Sequence, residues 1–360
     1  MSDAPHVKIF IPGPVEVRPA ILAAQTRPMI GHRSPEYADL QGRIVPRLRP
    51  IFGTAGRVFV VTASGSGLQE AAVRNCVRES CLCLVNGAFS QRWHEIALAN
   101  GKSADALEVP QGRAVHPEQV DERLRTGNYD AVTVVYNETS TGVFSPLPEI
   151  AAVVRNYPDV LMLVDTVSCA GGVEIKADAW GLDVCLTSSQ KALALPPGLA
   201  LCSVSDRAMQ RAASVPNRGW YFDFLQYENY AAKNHTPATP AISLMYALDA
   251  QLDAIAAEGW QNRFARHQQL MQMVHDWVRS AGFDLFAEEG YRSPTVTCVT
   301  NTRGINVSAL NKYLRQRCML ISNGYGTLKD NTFRIAHMGD STVEEIAALL
   351  DAMDGFLKRP

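Results

Sequence analysis

Three stretches of this chain close a run of apolar residues on a group that can do chemistry. The first is Thr62-Ala63-Ser64-Gly65-Ser66-Gly67-Leu68, set between a strand-like and a helix-like segment. Glycines let the backbone approach an anion closely, and a helix start offers free N–H groups and the positive end of its dipole. That suits a phosphate group, although an ordinary turn between strand and helix fits the loop equally well. The loop lacks the lysine of a nucleotide P-loop, the third glycine of a dinucleotide fold and the first glycine of a hydrolase elbow. The second stretch is Leu163-Val164-Asp165. A carboxylate ending a buried strand is costly to ionise unless a cation pairs with it, while a capping or turn-forming role is equally open. The third is Thr187-Ser188-Ser189-Gln190-Lys191, followed by further apolar residues and two prolines. Partial burial depresses a lysine pKa and makes its amine nucleophilic. The Ser188-x-x-Lys191 spacing also occurs in penicillin-interacting enzymes, but their S-D-N and K-T-G partners do not occur in this chain.

Taken as a set, the three have one economical explanation. A phosphate cradle, a buried aspartate and a buried lysine are the parts that pyridoxal 5′-phosphate (PLP) requires. The phosphate anchors the group, the lysine forms an imine, and the aspartate keeps the pyridine nitrogen protonated so that the ring acts as an electron sink.

The elements needed to position such groups are legible in the periodicity. From about residue 56 to 205, RVFVVTAS, CLCLV, DAVTVVYNE, LMLVDTVS, DVCLTSS and LALCSVS read as strands, while GSGLQEAAVRNCVRE, FSQRWHEIALANG and LPEIAAVVRNYP read as helices. Nearly continuous apolar strands alternating with helices predict an α/β domain with a mostly parallel sheet covered on both faces. Functional groups then collect at the carboxyl ends of its strands. Residues 216–240 are aromatic and proline-rich with little periodicity. A long helical stretch from Ile242 to Ala281, interrupted near Gly259, leads into strands TVTCVTN, CMLISNG and TFRIAHMG and helices VSALNKYLRQR and VEEIAALLDAMDGFLKR. That alternation predicts a smaller α+β domain. The expected division is an N-terminal arm over 1–18, a large domain over 19–241 and a small C-terminal domain over 242–360.

The 360 residues carry a formal net charge of −2 with both signs interspersed, so no basic stripe points to nucleic acid. Apolar runs fall far short of the roughly 20 residues that span a bilayer. The start MSDAPHVKIFIPGP has no basic segment followed by an apolar run, so no signal peptide is expected. Most of the eight cysteines sit in strand-like runs, as small hydrophobes in a reducing, cytoplasmic setting. Cys81 and Cys83 are expected to point to opposite faces of a strand, and no metal site is expected.

At this point the motifs become familiar. IPGP (11–14), MIGHRSPEY (29–37), ASGSG (63–67), NGAFSQRW (86–93), NETSTGV (137–143), VDTVS (164–168), SSQKAL (188–193), TPATP (236–240) and FRIAHMGD (333–340) occur in this order. The chain resembles the class V aminotransferases, specifically the alanine–glyoxylate and serine–glyoxylate group, over nearly its full length. The resemblance implies the type I fold of PLP-dependent transferases, with a seven-stranded-type sheet in the large domain, and a homodimer with shared active sites. It also implies a ping-pong exchange between small L-amino acids and 2-oxo acids such as glyoxylate or pyruvate. By motif, Lys191 is the Schiff-base lysine and proton shuttle, and Asp165 pairs with the pyridinium. Ser66, Gly67, Leu68 and Gln190 meet the phosphate, Phe89 stacks on the ring, and Ser140 approaches its phenolic oxygen. Thr239, with Thr236 as a second candidate, reaches the partner subunit's phosphate. Arg334 is the carboxylate clamp, and Gly31 leaves room for substrate. His32 and Arg33 follow it, Arg33 either meeting a second acidic group or supporting the fold. Tyr325 and His337 lie close to the clamp in sequence.

The donor stays open among alanine, serine, aspartate, phosphoserine and aminophosphonates. A phosphoserine donor would call on extra arginines, for which Arg33 and Arg218 are the candidates. A lyase or desulfurase on the same scaffold is a second reading, but a desulfurase needs a reactive cysteine on a loop near the clamp, and none lies between Cys318 and Arg334. A non-catalytic PLP-binding protein is a third, against which the intact Lys191, Asp165 and Arg334 argue.

Overall fold

The computed structural model describes residues 6–358; the first five residues of the expected N-terminal arm and the last two of the chain lie outside the described residues. In chain order the strands begin with β1 (Lys8–Phe10), β2 (Arg57–Val61), β3 (Ser80–Val85), β4 (Ser103–Glu108) and β5 (Ala131–Val135). They continue with β6 (Asn137–Glu138), β7 (Val143–Phe144), β8 (Leu161–Asp165), β9 (Val184–Ser188) and β10 (Ala200–Val204). The last four are β11 (Asp284–Leu285), β12 (Val296–Thr300), β13 (Met319–Asn323) and β14 (Thr332–Ala336).

A seven-stranded sheet runs in the order β2-β10-β9-β8-β5-β3-β4. Its pairs are parallel except those of β10, which runs antiparallel to both β2 and β9. The apolar strands are apolar because both faces are covered. Val58, Val60, Leu82, Leu84, Val132, Val134, Met162 and Val164 enter one core. Their neighbours in sequence, among them Phe59, Cys83, Val135 and Leu163, enter the other. This two-sided alternation follows from the period-two geometry of a strand. On one side the helix Pro35–Phe52 contributes Tyr37, Leu40, Ile44, Leu48 and Ile51. It ends at Gly53 with φ 60°, where a Cβ would stand 2.0 Å from the Ile175 carbonyl oxygen, so only glycine fits this turn. On the other side the helices Gly65–Cys76 and Ala88–Ala99 pack their small residues and Trp93 against the sheet.

The second sheet runs β1-β13-β14-β12-β11, with β1 parallel to β13 and the other pairs antiparallel. The segment expected as an arm thus contributes an edge strand here. This sheet has its own core, built from Phe10, Leu270, Val274, Leu310, Phe333, Ile335 and Leu349 among others. The long helical stretch is two helices, Ile242–Glu258 and Trp260–Ser280, separated by Gly259 at φ 81°. Arg263 on the second is 1% exposed, yet its charge is met by Glu258 at 2.8 Å and Asp340 at 2.9 Å. It also donates to the carbonyls of Gly171 and Ala192, at 2.9 and 2.8 Å, tying this helix to the segment that follows Lys191. A buried cation is tolerable only with such complete pairing.

Cys81 and Cys83 correct one expectation. They point to the same face of β3, with sulfurs 3.8 Å apart, because residues two apart on a strand share a side. All eight cysteines are free and seven are buried. Among the described residues no helix is long and apolar enough to cross a membrane.

His267 is fully buried on the helix carrying Arg263. Its Nδ1 donates to the Arg263 carbonyl (2.8 Å) and its Nε2 accepts from the Gly339 N–H (3.1 Å), which defines a neutral ring. Burial, aided by Arg263, pushes its pKa down to about 3. The unfolded chain therefore binds this proton first as pH falls below about 6.5, and the contribution to stability, complete above that value, is lost on acidification. Urea titrations at pH 7.5, 6 and 5 should show unfolding free energy dropping by up to about 1.4 kcal/mol per pH unit from this residue. His267→Asn should remove that part of the slope; equal slopes in the two proteins would contradict it.

Candidate active site

The carboxyl ends of β5, β8 and β9 and the loops after β2 and β3 converge on a cavity of about 280 Å³. Ser64, Gly65 and Ser66 line it from the start of the helix Gly65–Cys76, and Asn137 and Thr139 from the turn after β5. Asp165, Val167, Ser188, Gln190 and Lys191 complete its floor, with Gln69, Phe89 and Arg92 above them.

Asp165 is 5% exposed. Its Oδ2 accepts from the Gln69 side-chain amide and its Oδ1 from the Val167 N–H, both at 2.7 Å. Burial pushes its pKa up to about 6; the two hydrogen bonds and the distant charge of Lys191 pull against that, while Glu138 adds to it. The carboxylate is thus ionised at neutral pH and fixed in orientation. The Gln69 backbone is held by the Trp93 indole, which donates to its main-chain carbonyl at 3.1 Å.

Lys191 reaches across the cavity and donates from Nζ to the Pro12 carbonyl. Burial pulls its pKa down to about 8, with the Arg334 and Arg92 guanidiniums adding to the fall and Asp165 opposing it. An amine so poised is partly neutral near pH 8, the condition for attack on a carbonyl. Nζ stands 5.9 Å from the centre of the Phe89 ring, and that ring lies 5.4 Å from Tyr325. Arg334, 7% exposed on β14, donates to the Asn323 carbonyl at 3.2 Å and the Thr139 carbonyl at 3.3 Å, and its guanidinium carbon is 5.5 Å from the Tyr325 ring. Burial lowers its pKa. Among the described residues its hydrogen-bond partners are carbonyls, so its charge is available to an incoming carboxylate.

Glu138 is fully buried beside the cavity. It accepts from the N–H groups of Phe89 and Ser90 (3.1 and 2.9 Å) and from the Ser90 and Ser140 hydroxyls (3.0 and 2.6 Å). An anion at the start of the helix Ala88–Ala99 meets free N–H groups and the positive dipole end, which fixes Phe89 at the cavity edge.

The remaining expected residues are placed as follows. Of Ser66, Gly67 and Leu68, Ser66 lines the cavity; the Leu68 side chain is core. Ser140 points to Glu138 and accepts from the Ala88 N–H at 3.0 Å. Thr236 and Thr239 lie outside the cavity, in a separate cleft with Thr62 and Tyr221. Gly31 and His32 are also outside it. Arg33 braces the 236–237 segment, donating to the Thr236 and Pro237 carbonyls at 2.6 and 3.0 Å with its guanidinium 4.9 Å from the Tyr230 ring. Of its two expected roles this contact set is the structural one. Arg218 is paired with Asp223 at 3.2 Å. His337 is buried and shares a hydrogen bond with Thr297 (2.9 Å) in the core.

Sequence reading passed over Gln69, Glu138 and Arg92. Glu138 carries the same signal as Asp165, an acid closing an apolar strand; Gln69 and Arg92 lie on helices whose cavity-facing side only the sheet defines.

Four side chains lining the cavity carry buried polar atoms without a hydrogen-bond partner: Gln69 Oε1, Asn137 Oδ1, Ser188 Oγ and Gln190 Oε1. Buried polar groups are normally paired, so this concentration calls for a polar occupant. The lysine, the aspartate and the helix start with its serines fit PLP. Among the described residues no cluster of three His, Cys, Asp or Glu side chains could hold a metal ion.

Comparison with known proteins agrees with this chemistry. The family model "Aminotransferase class-V" matches residues 58–349. An uncharacterized aminotransferase of Methanocaldococcus jannaschii is 38% identical over 99% of this chain and 94% of its own length. An L-aspartate–glyoxylate aminotransferase of Paracoccus denitrificans is 32% identical over 93% of this chain and 87% of its own. The crystal structure of an alanine–glyoxylate aminotransferase from Nostoc superposes with a TM-score of 0.93 at 30% identity, covering 99% of this chain and 97% of that one.

The lowered pKa of Lys191 has a direct readout. Brief exposure to a small aldehyde and borohydride at pH 8, followed by peptide mapping, should label Lys191 well ahead of the surface lysines. The labelling rate should level off above pH about 8. Labelling that keeps rising to pH 10, as for an ordinary lysine, would refute the assignment.

Proposed function

Because the chain belongs to the class-V aminotransferase family, whose chemistry runs on PLP, we propose that it moves an amino group from a small L-amino acid to a 2-oxo acid such as glyoxylate. The observation that carries this reading is that Lys191 and Asp165 line one cavity whose buried side chains leave four polar atoms unpaired, with Arg334 bonded to the carbonyl of Thr139 in its wall. When bound, PLP supplies an electron sink for a broken Cα–H bond. The Lys191 amine would hold the cofactor, and a free amine at Nζ would move the proton of the substrate Cα. Its lowered pKa suits it to take up and give back that proton near neutrality. The Asp165 carboxylate, oriented by Gln69 and Val167, holds the ring's N–H charge. Phe89 offers a flat apolar face for the ring, and Ser66, with the N–H groups of Gly67 and Leu68 at the helix start and Gln190 nearby, receives the phosphate. By motif Ser140, whose hydroxyl donates to Glu138, would stand nearest the ring's phenolic oxygen. Arg334 grips the α-carboxylate, which a guanidinium can do through two parallel hydrogen bonds.

The same reading makes the protein a homodimer. Thr236 and Thr239 lie away from their own chain's cavity, and Trp220, next to Tyr221 of the same cleft, is 58% exposed, as is Met29 at 64%, which an interface would explain. By motif Gly31 and His32 would face the substrate across such an interface. The expected boundaries at 18/19 and 241/242 would divide a large cofactor-binding part from a smaller one; the two sheets have separate cores, but Met245, Leu248, Leu252 and Ile255 of the helix Ile242–Glu258 pack into the first sheet's core and β1 crosses to the second sheet. Eight unpaired cysteines favour a reducing, cytoplasmic setting.

The test is spectroscopic. Purified protein loaded with PLP should show the near-visible band of a lysine-bound cofactor, and an accepted amino acid should replace it with the shorter-wavelength band of the aminated form. L-alanine, L-serine and L-aspartate would be compared. Arg334→Gln should keep the near-visible band and lower kcat/KM roughly a hundredfold, the size expected when a buried charge partner is removed. No cofactor band after loading would sink the proposal.

A further inference from the structure

Arg92 is a cation at the cavity that the reaction as described does not use. It sits in the second turn of the helix Ala88–Ala99, with its guanidinium carbon 4.9 Å from the centre of the Phe89 ring and its Nη2 donating to the Tyr325 hydroxyl at 3.2 Å. The Tyr325 ring has Arg334 on it at 5.5 Å and Phe89 beside it at 5.4 Å. Two guanidiniums are therefore one phenol apart, Arg92 lining the cavity and Arg334 bonded to the carbonyl of Thr139 in its wall. Among the described residues neither has a carboxylate partner: Arg92 bonds a hydroxyl, and Arg334 bonds two carbonyls. Both contribute to the lowering of Lys191.

We infer that Arg92, oriented by Tyr325, receives a second anionic group on the substrate, so that acidic donors of the aspartate type are preferred over alanine. This rests on the aminotransferase reading and deepens it. An α-carboxylate satisfies Arg334 and leaves Arg92 with a neutral hydroxyl alone. A carboxylate on the donor's side chain gives it the planar partner that a guanidinium fork matches. Discrimination by such a group is strong because a substrate lacking it leaves a partly desolvated charge unpaired. The same contact suits a 2-oxo dicarboxylate in the reverse half of the exchange. Arg33 and Arg218, the other arginines weighed for a second acid, are occupied by carbonyls and by Asp223.

The experiment measures the PLP-loaded enzyme's half-reaction with L-aspartate and with L-alanine, for wild type, Arg92→Gln, Arg92→Lys and Tyr325→Phe. Wild type should favour aspartate. Arg92→Gln should lower the aspartate-to-alanine ratio of kcat/KM by roughly tenfold to a hundredfold, the worth of one charge-assisted contact. Arg92→Lys should recover part of that ratio, and Tyr325→Phe, which keeps the ring but frees Arg92, should lower it in the same direction. A loss shared equally by both amino acids would mark Arg92 as merely structural and overturn the inference. So would a wild type that favours alanine, with the aminotransferase reading left standing. Failure of both amino acids to convert the cofactor would overturn the two readings together.

Discussion

Two ionisable groups of opposite sign stand at or just beyond the ends of adjacent strands, β8 and β9, and each is held largely out of water. Removing them from solvent pushes both toward their neutral forms, Asp165 up to about 6 and Lys191 down to about 8. They form no direct ion pair. Each is steadied separately: Asp165 by the Gln69 amide and the Val167 N–H, Lys191 by the Pro12 carbonyl. The surroundings that do this come from distant parts of the chain, so the separation of the two groups is a property of the whole fold. Closing them onto each other would quench the amine; leaving either in water would erase its altered pKa.

The architecture follows from that requirement. A parallel sheet with both faces covered is one of the few frameworks that ends several buried strands at a common edge without letting water in from the sides. Here the edge is closed by helix starts, whose free N–H groups are useful to anions, and by β14 of the second sheet, which brings Arg334. The second sheet is fastened to the first by Arg263, whose donors reach the carbonyl just after Lys191 and a carboxylate just after β14. Together with Thr295, which bonds Asn137 and the Ser168 carbonyl, Arg263 ties the segment of the amine to the strands that carry the clamp.

Much of this was legible in the letters. Asp165 and Lys191 stood out because an ionisable residue ending an apolar run is physically expensive, and the strands carrying them matched their reading. The mostly parallel sheet followed from six runs read as strands, and its seven-stranded form from the family resemblance; the seventh strand, β4, is an edge strand whose polar alternation, SADALE, gives little contrast. The helix Pro35–Phe52 lay outside the periodic reading, and its internal prolines at 46 and 50 blur its signal. Gln69, Glu138 and Arg92 were harder, since their roles depend on which helix face meets the cavity. Cys81 and Cys83 were misjudged by a slip of strand geometry rather than by any ambiguity in the sequence. Thr236 and Thr239 remain apart from the cavity of their own chain.

Gly13 carries no functional group, yet the cavity is built around its bareness. A Cβ at this position would stand 2.6 Å from the Lys191 Nζ and Cδ, and its φ of 121° is one that side-chain-bearing residues rarely adopt. The lysine lies along naked backbone. A side chain at position 13 would strain the backbone and push the Lys191 amine from its resting place. The chain's most inert residue and its most reactive one answer to a single steric fact.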